Sequence, residues 1–362
     1  MIEIDGSFLE GGGQIVRTAL AISTVIQKPF CVFNIRKGRP KSGLKNQHLY
    51  CIKALEKLCN AKTEGAELGS MKLKYVPGKI KGQTISIDIG TAGSVTLLLQ
   101  SLLLPAFFSN SKVRFKISGG TDVQWSPQFD YFANVVIPQL QRFSEMIEIS
   151  LVKRGYYPKG GGKVDIKIKP KFSLEKIKEA PQINLIEQYN LIQIKGISHA
   201  SLDLQKAQVA ERQARSARIA LGRFNCPINI RTEYRETLST GSGITLWAIF
   251  SKDLDEIDIF NPIRIGADAL GERGKRAEDV GKEAADKLIQ EINSKAPVDS
   301  HLADNLIPFL ALFGGRIKVS KITPHTLTNI YTCEQFLGKI FELDEDKKII
   351  RQLYFKHQNF FK

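Results

Sequence analysis

One pattern of secondary structure recurs along the chain, and this repeat is what most constrains the fold. In its first copy, residues 1–5 predict a strand, residues 14–24 a helix after a glycine-rich turn, and residues 30–35 a second strand. A basic loop, a helix over residues 44–60 and a β-hairpin from residues 71–76 and 84–89 complete the unit. Strands are predicted from alternating apolar residues and helices from apolar residues three and four positions apart. Repetition of such a unit predicts an architecture of similar packed modules.

Two further copies follow the first. The second contains strand 84–89, helix 95–107, strand 113–117, loop 118–127, helix 129–143 and a hairpin from residues 147–152 and 162–168. The third comes late and contains helix 303–312, a strand from residue 316 and a helix from residue 326 to 337. Loops 36–43, 118–127 and 323–325 are equivalent in the three copies. Packing about an approximate threefold axis would bring these loops to one cleft.

A separate domain interrupts the third copy. Its predicted elements are strand 191–197, helix 206–221 and strands 228–233 and 243–250. We therefore predict a three-repeat main domain from residues 1–181 and 276–340, an inserted small domain at 182–275 and a C-terminal extension at 341–362. The insert's helix carries four arginines, which form either a solvated face or a phosphate-contacting face: Arg212, Arg215, Arg218 and Arg223.

Charge and cysteine content limit which partners and which cellular compartment are expected for this chain. Lysine and arginine number 52 against 37 acidic residues, a net charge of +15, which favours a polyanionic partner such as nucleic acid over an acidic membrane. A generally lysine-rich surface is the alternative. The five cysteines are widely spaced without a C-x-x-C pair, which predicts reduced thiols in a cytoplasmic protein. The longest apolar run, 95–108, is too short to span a bilayer, and the N-terminus lacks a signal-peptide pattern. No membrane partner is expected.

His325 stands where the third copy changes from strand to helix. Pro324 ends the strand because it has no N–H to donate, and apolar residues recur at helical spacing from residue 326 onward. The positive end of the helix dipole disfavours the imidazolium, which leaves a neutral and nucleophilic nitrogen. A surface or capping role is the alternative for a single loop histidine.

Six motifs stand in order along nearly the whole chain. They are residues 10–17 (EGGGQIVR), 35–49 (IRKGRPKSGLKNQHL), 65–70 (GAELGS), 93–100 (GSVTLLLQ), 119–122 (GGTD) and 157–162 (YPKGGG). Each is weak alone, but as a set they closely resemble the RNA 3'-terminal phosphate cyclase family. The resemblance is weakest in the predicted insert.

The resemblance implies an α/β (α+β) fold with three βαβαββ-type units, each a four-stranded sheet with two helices, plus a smaller inserted α/β domain. It also implies an enzyme that joins adenylate from ATP to a histidine, transfers it to an RNA 3'-phosphate and closes a 2',3'-cyclic phosphodiester. The family's histidine falls on His325. ATP and a divalent metal, Mg²⁺ or Mn²⁺, are the implied cofactors, and RNA with a 3'-phosphate end is the implied substrate. Whether the chain forms a homo-oligomer is left open.

The resemblance assigns further roles by position. Glu10 matches a metal-contacting carboxylate, with stabilisation of a helix N-terminus as the alternative. Arg36, Arg39 and Gln47 are predicted to bind phosphate or RNA. The implied nucleotide-binding residues are Gln14, Arg17, Gln100, Pro127, His301, Leu302, Ala303, Asp304 and Asn305.

Three positions keep two interpretations each. His301 stands where other family members carry a tyrosine, so it either stacks on adenine or competes with His325 as the nucleophile, and we favour His325. His48 either approaches the cleft or is structural. Trp125 either stacks on an RNA base or packs in the core.

Three other functions compete with the cyclase. A non-catalytic cyclase-like RNA-binding protein that acts in ribosome assembly would lack the nucleophilic histidine, which this chain has. An enolpyruvyl transferase would need six units and a longer chain. A plain RNA-binding protein would not require the motifs at residues 10–14 and 301–305.

Overall fold

A computed structural model describes residues 1–253, 258 and 262–353 of the chain. These residues form helices and four mixed four-stranded sheets, so the predicted α/β class is confirmed. Three of the sheets share one strand order, in which the first two strands of a unit are parallel and the last two are antiparallel to their neighbours.

The first unit corrects one predicted pairing. Its elements are β1 (Ile2–Asp5), α1 (Gln14–Ile26), β2 (Phe30–Phe33), α2 (Asn46–Cys59), β3 (Lys62–Glu64) and β4 (Leu73–Val76), with sheet order β1-β2-β4-β3. The predicted hairpin between residues 71–76 and 84–89 is wrong, because β4 pairs with β3. The three residues of β3 are too short and too polar to produce a visible alternation.

The second unit repeats this order. Its elements are β5 (Thr84–Asp88), α3 (Val95–Ala106), β6 (Val113–Gly119), the helical segment α4, β7 (Ser144–Lys153) and β8 (Gly162–Pro170), with sheet order β5-β6-β8-β7. Segment α4 consists of an α-helical turn at Phe129–Tyr131, a π-helical turn at Phe132–Val136 and an α-helical turn at Ile137–Leu140.

The third unit opens with β9 (Ile183–Leu185), after which the chain leaves it to build the insert. The insert comprises β10 (Asn190–Ser201), α5 (Val209–Leu221), β11 (Ile228–Arg235), β12 (Ser242–Ser251), β13 (Ile263–Leu270) and α6 (Ala277–Asn293). Its sheet has the order β11-β10-β12-β13, and α6 packs against α5 and β13. Helix α6 therefore lies with the insert, whereas the sequence assigned residues 277–293 to the main domain.

The chain then completes the third unit. The remaining elements are α7 (Ser300–Phe313), β14 (Gly315–Lys318), α8 (Pro324–Leu337), β15 (Phe341–Asp344) and β16 (Ile349–Gln352), with sheet order β9-β14-β16-β15. Strand β9 falls inside the predicted insert, and β15 and β16 fall inside the predicted C-terminal extension, because pairing across the sheet rather than local pattern brings them together. Residues 354–362 of that extension lie outside the described residues.

Helix α1 occupies the centre of the three units. Every residue from Ile15 to Ile26 is buried, and the helix packs against α2, α3 and α8. A helix that is covered on all sides holds its ends in fixed positions, so its N-terminus is a rigid place for a functional site.

Two smaller expectations concern the chain as a whole. The five cysteines are free, and four of them are buried, as predicted. Among the helices of the described residues, none combines the length and apolarity that crossing a membrane requires.

Candidate active site

His325 and Glu10 meet where the N-terminal turns of α1 and α8 come together. Glu10 lies in the glycine-rich loop before α1, and His325 lies in the first turn of α8. His325 Nδ1 is 2.8 Å from Glu10 Oε2, and the two side chains are 49% and 34% exposed. A carboxylate can only accept, so the neutral ring carries its proton on Nδ1 and leaves a lone pair on Nε2. The contact determines which ring nitrogen can act as a nucleophile.

Local sequence determines where α8 begins. The Thr323 hydroxyl accepts the backbone N–H of Thr326 at 3.0 Å and caps the helix. Pro324 follows at the first helical position, where its missing N–H costs no intrahelical hydrogen bond. The helix therefore begins at Pro324, earlier than the predicted start at residue 326, and His325 is inside its first turn rather than in a preceding loop.

Asp304 of α7 holds this turn in place. Its Oδ1 accepts hydrogen bonds from the hydroxyls of Thr323 at 3.0 Å and Thr326 at 2.7 Å, and its carbonyl accepts one from Asn329 at 2.7 Å. Burial raises the pKa of Asp304, and the Thr326 hydroxyl is the largest influence opposing that rise. The carboxylate that the resemblance assigns to nucleotide binding thus positions the turn that carries His325.

Two more contacts fasten α1 to α8. The Gln14 amide donates to the backbone carbonyl of His325 at 2.9 Å, and the Thr18 hydroxyl donates to Asn329 Oδ1 at 2.6 Å. Thr18 and Asn329 were not predicted site residues. The signal that they offered was a polar side chain among buried apolar ones on a helix.

A chain of hydrogen bonds links predicted nucleotide-binding residues from all three units. Arg17 Nε donates to Gln100 Oε1 at 3.2 Å, Gln100 Nε2 donates to Asn305 Oδ1 at 3.0 Å, and Asn305 donates to the His301 carbonyl at 2.8 Å. Arg17 is buried, burial lowers its pKa, and within the described residues it forms no ion pair. A buried cation without a counterion favours an anionic ligand.

The basic loop of the first unit contributes Arg36 and Arg39. Arg39 Nε donates to the Glu10 carbonyl at 3.0 Å, and its Nη2 lies 3.6 Å from Glu10 Oε2. The buried Nη1 of Arg36 has no hydrogen-bond partner among the residues that the structure describes. Burial, followed by the charge of Arg39, lowers the pKa of Arg36. Gln47 is half-buried at the start of α2 and makes no side-chain hydrogen bond within residues 1–253, 258 and 262–353.

His48 is buried beneath the glycine-rich loop. Its Nδ1 accepts the backbone N–H of Lys45 at 2.9 Å, so the ring proton is on Nε2. That nitrogen is buried and has no hydrogen-bond partner in the described part of the chain. A Cβ at Gly13 would lie 1.9 Å from that nitrogen, so only glycine fits there. Burial and then the charge of Arg17 lower the pKa of His48 to about 3, which keeps it neutral. The structural interpretation of His48 is therefore favoured.

The remaining residues that were predicted to bind the nucleotide differ in how exposed their side chains are. Leu302 and Ala303 have fully buried side chains, so only their backbone atoms could reach a nucleotide. His301 is exposed and lies edge-on to Tyr131, with ring centroids 6.2 Å apart. The Pro127 carbonyl accepts a hydrogen bond from Thr96, one helical turn before Gln100.

Trp125 lies two residues before Pro127 on the same loop. Its side chain is 94% exposed, and its φ of 60° is unusual for a bulky residue. Packing in the core is thereby excluded, and stacking on a base is the interpretation that stays open.

A second cluster has metal-ligand composition but already contains a cation. Ligand atoms of Asp122, Asp130 and His199 lie within 4.8 Å of one another. Arg154 fills this space, because its guanidinium donates to Asp122 at 3.0 Å and to Asp130 at 2.5 Å. The partly exposed carboxylate of Glu10 is the better candidate for a metal ligand, since Mg²⁺ typically uses one or two carboxylates together with substrate phosphates.

The chain is similar to known proteins over nearly its whole length. Residues 8–343, which include Glu10 and His325, match the family model described as RNA 3'-terminal phosphate cyclase. A protein of Pyrococcus furiosus with that name is 48% identical over 343 residues, which is 95% of each chain. A protein of Pyrococcus abyssi with the same name is 46% identical over 344 residues, which is 95% of each chain. One of Saccharolobus islandicus is 48% identical over 340 residues, which is 93% of this chain and 94% of the relative.

The chain belongs to the RNA 3'-terminal phosphate cyclase family. This confirms the resemblance found in the sequence and the prediction of a cyclase-type enzyme. Membership over nearly the whole chain also excludes the enolpyruvyl transferase alternative.

Proposed function

We propose that this family member uses ATP to convert the 3'-terminal phosphate of an RNA into a 2',3'-cyclic phosphodiester through a covalent His325–AMP intermediate. The observation that carries the proposal is the 2.8 Å contact between His325 Nδ1 and Glu10, which leaves Nε2 as the free nitrogen. Within the described residues, Nε2 of His325 has no hydrogen-bond partner.

In the first step, Nε2 of His325 attacks the α-phosphorus of ATP. A P–N bond forms, the bond to the bridging oxygen breaks, and pyrophosphate leaves with that electron pair. The ring then carries a positive charge, which the carboxylate of Glu10 stabilises through the Nδ1–H. Arg17, Arg36 and Arg39 and the N-terminal turns of α1 and α8 supply positive charge for the phosphates.

In the second step, an oxygen of the RNA 3'-phosphate attacks the phosphorus of the adenylate. The P–N bond breaks and His325 recovers its lone pair. In the third step, the 2'-hydroxyl attacks the activated 3'-phosphorus, loses its proton, and AMP departs. Because both reacting groups lie on one ribose, this closure has the advantage of an intramolecular reaction.

Glu10 also fits the divalent metal, Mg²⁺ or Mn²⁺, that the family resemblance implies. Its carboxylate is partly exposed at the mouth of the site. Within the described residues, Oε2 contacts Arg39 and His325, whereas Oε1 makes no such contact. A bound metal would neutralise phosphate charge and polarise phosphorus–oxygen bonds.

The adenosine of ATP is proposed to lie along the links between units. The exposed ring of His301 and the loop at Pro127 offer surfaces for the adenine, and Arg17, Gln100 and Asn305 line the adjoining wall. RNA is the proposed partner, while the cytoplasmic location remains a prediction.

The test uses two RNAs that differ only at the 3' end. We expect the full chain with ATP and Mg²⁺ or Mn²⁺ to convert the 3'-phosphate RNA to a cyclic end and to leave the 3'-hydroxyl RNA unchanged. His301→Ala should weaken ATP binding but keep the conversion, because the nucleophile is His325. Conversion of both RNAs would reject the proposal, and RNA binding without any adenylation would favour the non-catalytic alternative.

A further inference from the structure

The inserted domain carries an open groove of about 630 Å³ on the side of its sheet that meets α4. Three cationic side chains line it, each from a different element: Lys195 from β10, Arg218 from α5 and Arg231 from β11. Asn229 and Asn134 also line the groove, and we call it the basic groove.

The described residues do not neutralise the charge of the basic groove. Lys195, Arg218 and Arg231 are exposed, and in the described part of the chain none of them forms an ion pair and no carboxylate lines the groove. Arg212, on the same helix as Arg218, differs because it binds Glu278 through two hydrogen bonds of 2.7 and 2.9 Å. Of the three arginines of α5, Arg212 is therefore neutralised by the fold, whereas Arg218 lines the groove.

Arg218 is also held in place. Its guanidinium donates to the backbone carbonyl of Ile230 in β11, which directs the helix cation toward the strand that carries Arg231. Like charges repel one another, so bringing three cations to one channel opposes folding and does not stabilise it.

We propose that the basic groove binds the sugar–phosphate backbone of the RNA substrate upstream of its 3' end. This rests on the proposed function, in which RNA is the substrate. A positively charged open channel is the usual way to bind a single-stranded backbone without regard to sequence, whereas small ligands favour enclosed and mostly apolar pockets.

An acidic protein partner fits the groove less well. Protein interfaces usually depend on large apolar or aromatic side chains that are accessible at the centre. Here Trp247 is 5% exposed and Ile230 is 4% exposed, so the largest apolar residues of the groove are already packed. Cations and the exposed amide of Asn229 are what remains for a ligand.

Segment α4 connects the groove to the candidate active site. Pro127 lies two residues before the segment, and Asn134 in the middle of the segment lines the groove. Tyr131, also in the segment, donates to Asp299 at the start of the helix that carries His301. An RNA whose 3' end occupies the site would therefore reach the groove with its upstream nucleotides.

The test compares Lys195→Ala/Arg231→Ala with Lys206→Ala/Lys282→Ala, which removes the same charge from exposed positions of the insert outside the groove. The probe is a twelve-nucleotide RNA with a 3'-hydroxyl, so that binding is measured without chemistry. Two lost phosphate contacts should reduce the slope of log affinity against log salt by about 1.4 and weaken binding roughly 25-fold at 0.1 M salt. The control variant should keep the wild-type slope.

Further readouts separate this proposal from the proposed function. Adenylation by ATP alone should be unchanged in the groove variant, while kcat/KM for the long RNA falls. Equal slopes for the groove and control variants would overturn the groove as an RNA surface. Displacement of RNA from the wild-type groove by poly-glutamate at equal charge would overturn it in favour of an acidic protein partner. Loss of adenylation in the wild type itself would instead reject the proposed function.

Discussion

Two regions of the molecule place a histidine beside a carboxylate, and their surroundings give the two histidines different roles. His325 Nδ1 lies 2.8 Å from Glu10, with both side chains partly exposed. His199 Nε2 lies 3.5 Å from Asp122, with both side chains completely buried. The residue pair alone therefore does not identify a nucleophile. The proposed mechanism also requires a ring nitrogen that is accessible and, within the described residues, without a hydrogen-bond partner.

In the buried region, both nitrogens of His199 are occupied. The Tyr156 hydroxyl lies 2.8 Å from Nδ1, and Gln128 Oε1 lies 3.0 Å from Nε2. Burial lowers the pKa of His199 to about 3, so the ring is neutral and structural. Arg154 lies in the same cluster and contacts Glu233 of β11 at 2.7 Å, which joins the insert to the second unit.

The largest expected effect comes from replacing each of the two histidines in turn. His325→Asn should lower the labelling of the protein by ATP labelled at the α-phosphate by more than about a thousandfold, because it removes the attacking nitrogen. His199→Gln should remain labelled, because neither ring nitrogen is free to react. Mass spectrometry of the labelled peptide is the measurement, and adenylate on any residue other than His325 would remove the basis of the comparison.

The carboxylates provide the second contrast. Glu10→Gln should slow adenylation roughly 10²–10⁴-fold, because an amide neither selects the ring tautomer nor stabilises the cationic ring. Asp122→Asn should leave the adenylation rate of the folded protein near that of the wild type. Single-turnover rates at several metal concentrations measure both. Recovery of Glu10→Gln by raised metal alone would assign Glu10 to metal binding instead of histidine orientation.

Removal of an arginine should lower the free energy of unfolding much more in the buried region than in the exposed one. Arg154→Met leaves buried carboxylates without their cation and should lower the free energy of unfolding by about 3–5 kcal/mol. Arg39→Met removes a partly exposed partner of Glu10 and should cost about 1 kcal/mol or less. Urea unfolding of the full chain measures the difference. Equal losses in the two variants would contradict the contrast between a sealed and an open cluster.

The smallest expected effect is a change in the pH dependence of stability. His199 and His48 have a folded-state pKa near 3, below the value of about 6.5 for a free histidine, so the unfolded chain takes up protons first as pH falls. Their contribution to stability is complete above about pH 6.5 and is lost progressively toward pH 3. His199→Gln should reduce this slope by up to about 1.4 kcal/mol per pH unit.

Asp130 acts in the opposite direction, and the measurement must include it. Burial raises the pKa of Asp130 to about 6, so this carboxyl favours the folded state as pH falls below that value. Urea unfolding at pH 7.5 and pH 5.5 for the wild type, His199→Gln and Asp130→Asn isolates the histidine contribution. A wild-type slope that His199→Gln does not change would show that the ring titrates while folded.

Long periodic elements were predictable from sequence, and short ones were not. Helices α1, α2 and α3 have enough turns for their apolar spacing to be visible. Strands β3 and β9 have three residues each, and they are strands because longer neighbours supply their hydrogen bonds. The position of α6 beside the insert also depends on packing between elements, which local pattern does not contain.

The candidate site was predictable as a set of residues but not as a set of contacts. Glu10 and His325 were both identified through the family resemblance, whereas their hydrogen bond depends on pairing of α1 with α8 across more than three hundred positions. Asp304 shows the limit most clearly, because its hydroxyl partners Thr323 and Thr326 become neighbours only in the folded chain. Exposure of Trp125 was likewise not encoded in the local sequence.

The hydrogen-bonded chain Arg17–Gln100–Asn305 takes one side chain from each unit, and this has a consequence for biosynthesis. A ribosome completes the first two units and the insert before it makes α8, which carries His325. On the proposed mechanism, nascent chains are therefore unable to react with ATP until the last unit docks on the others.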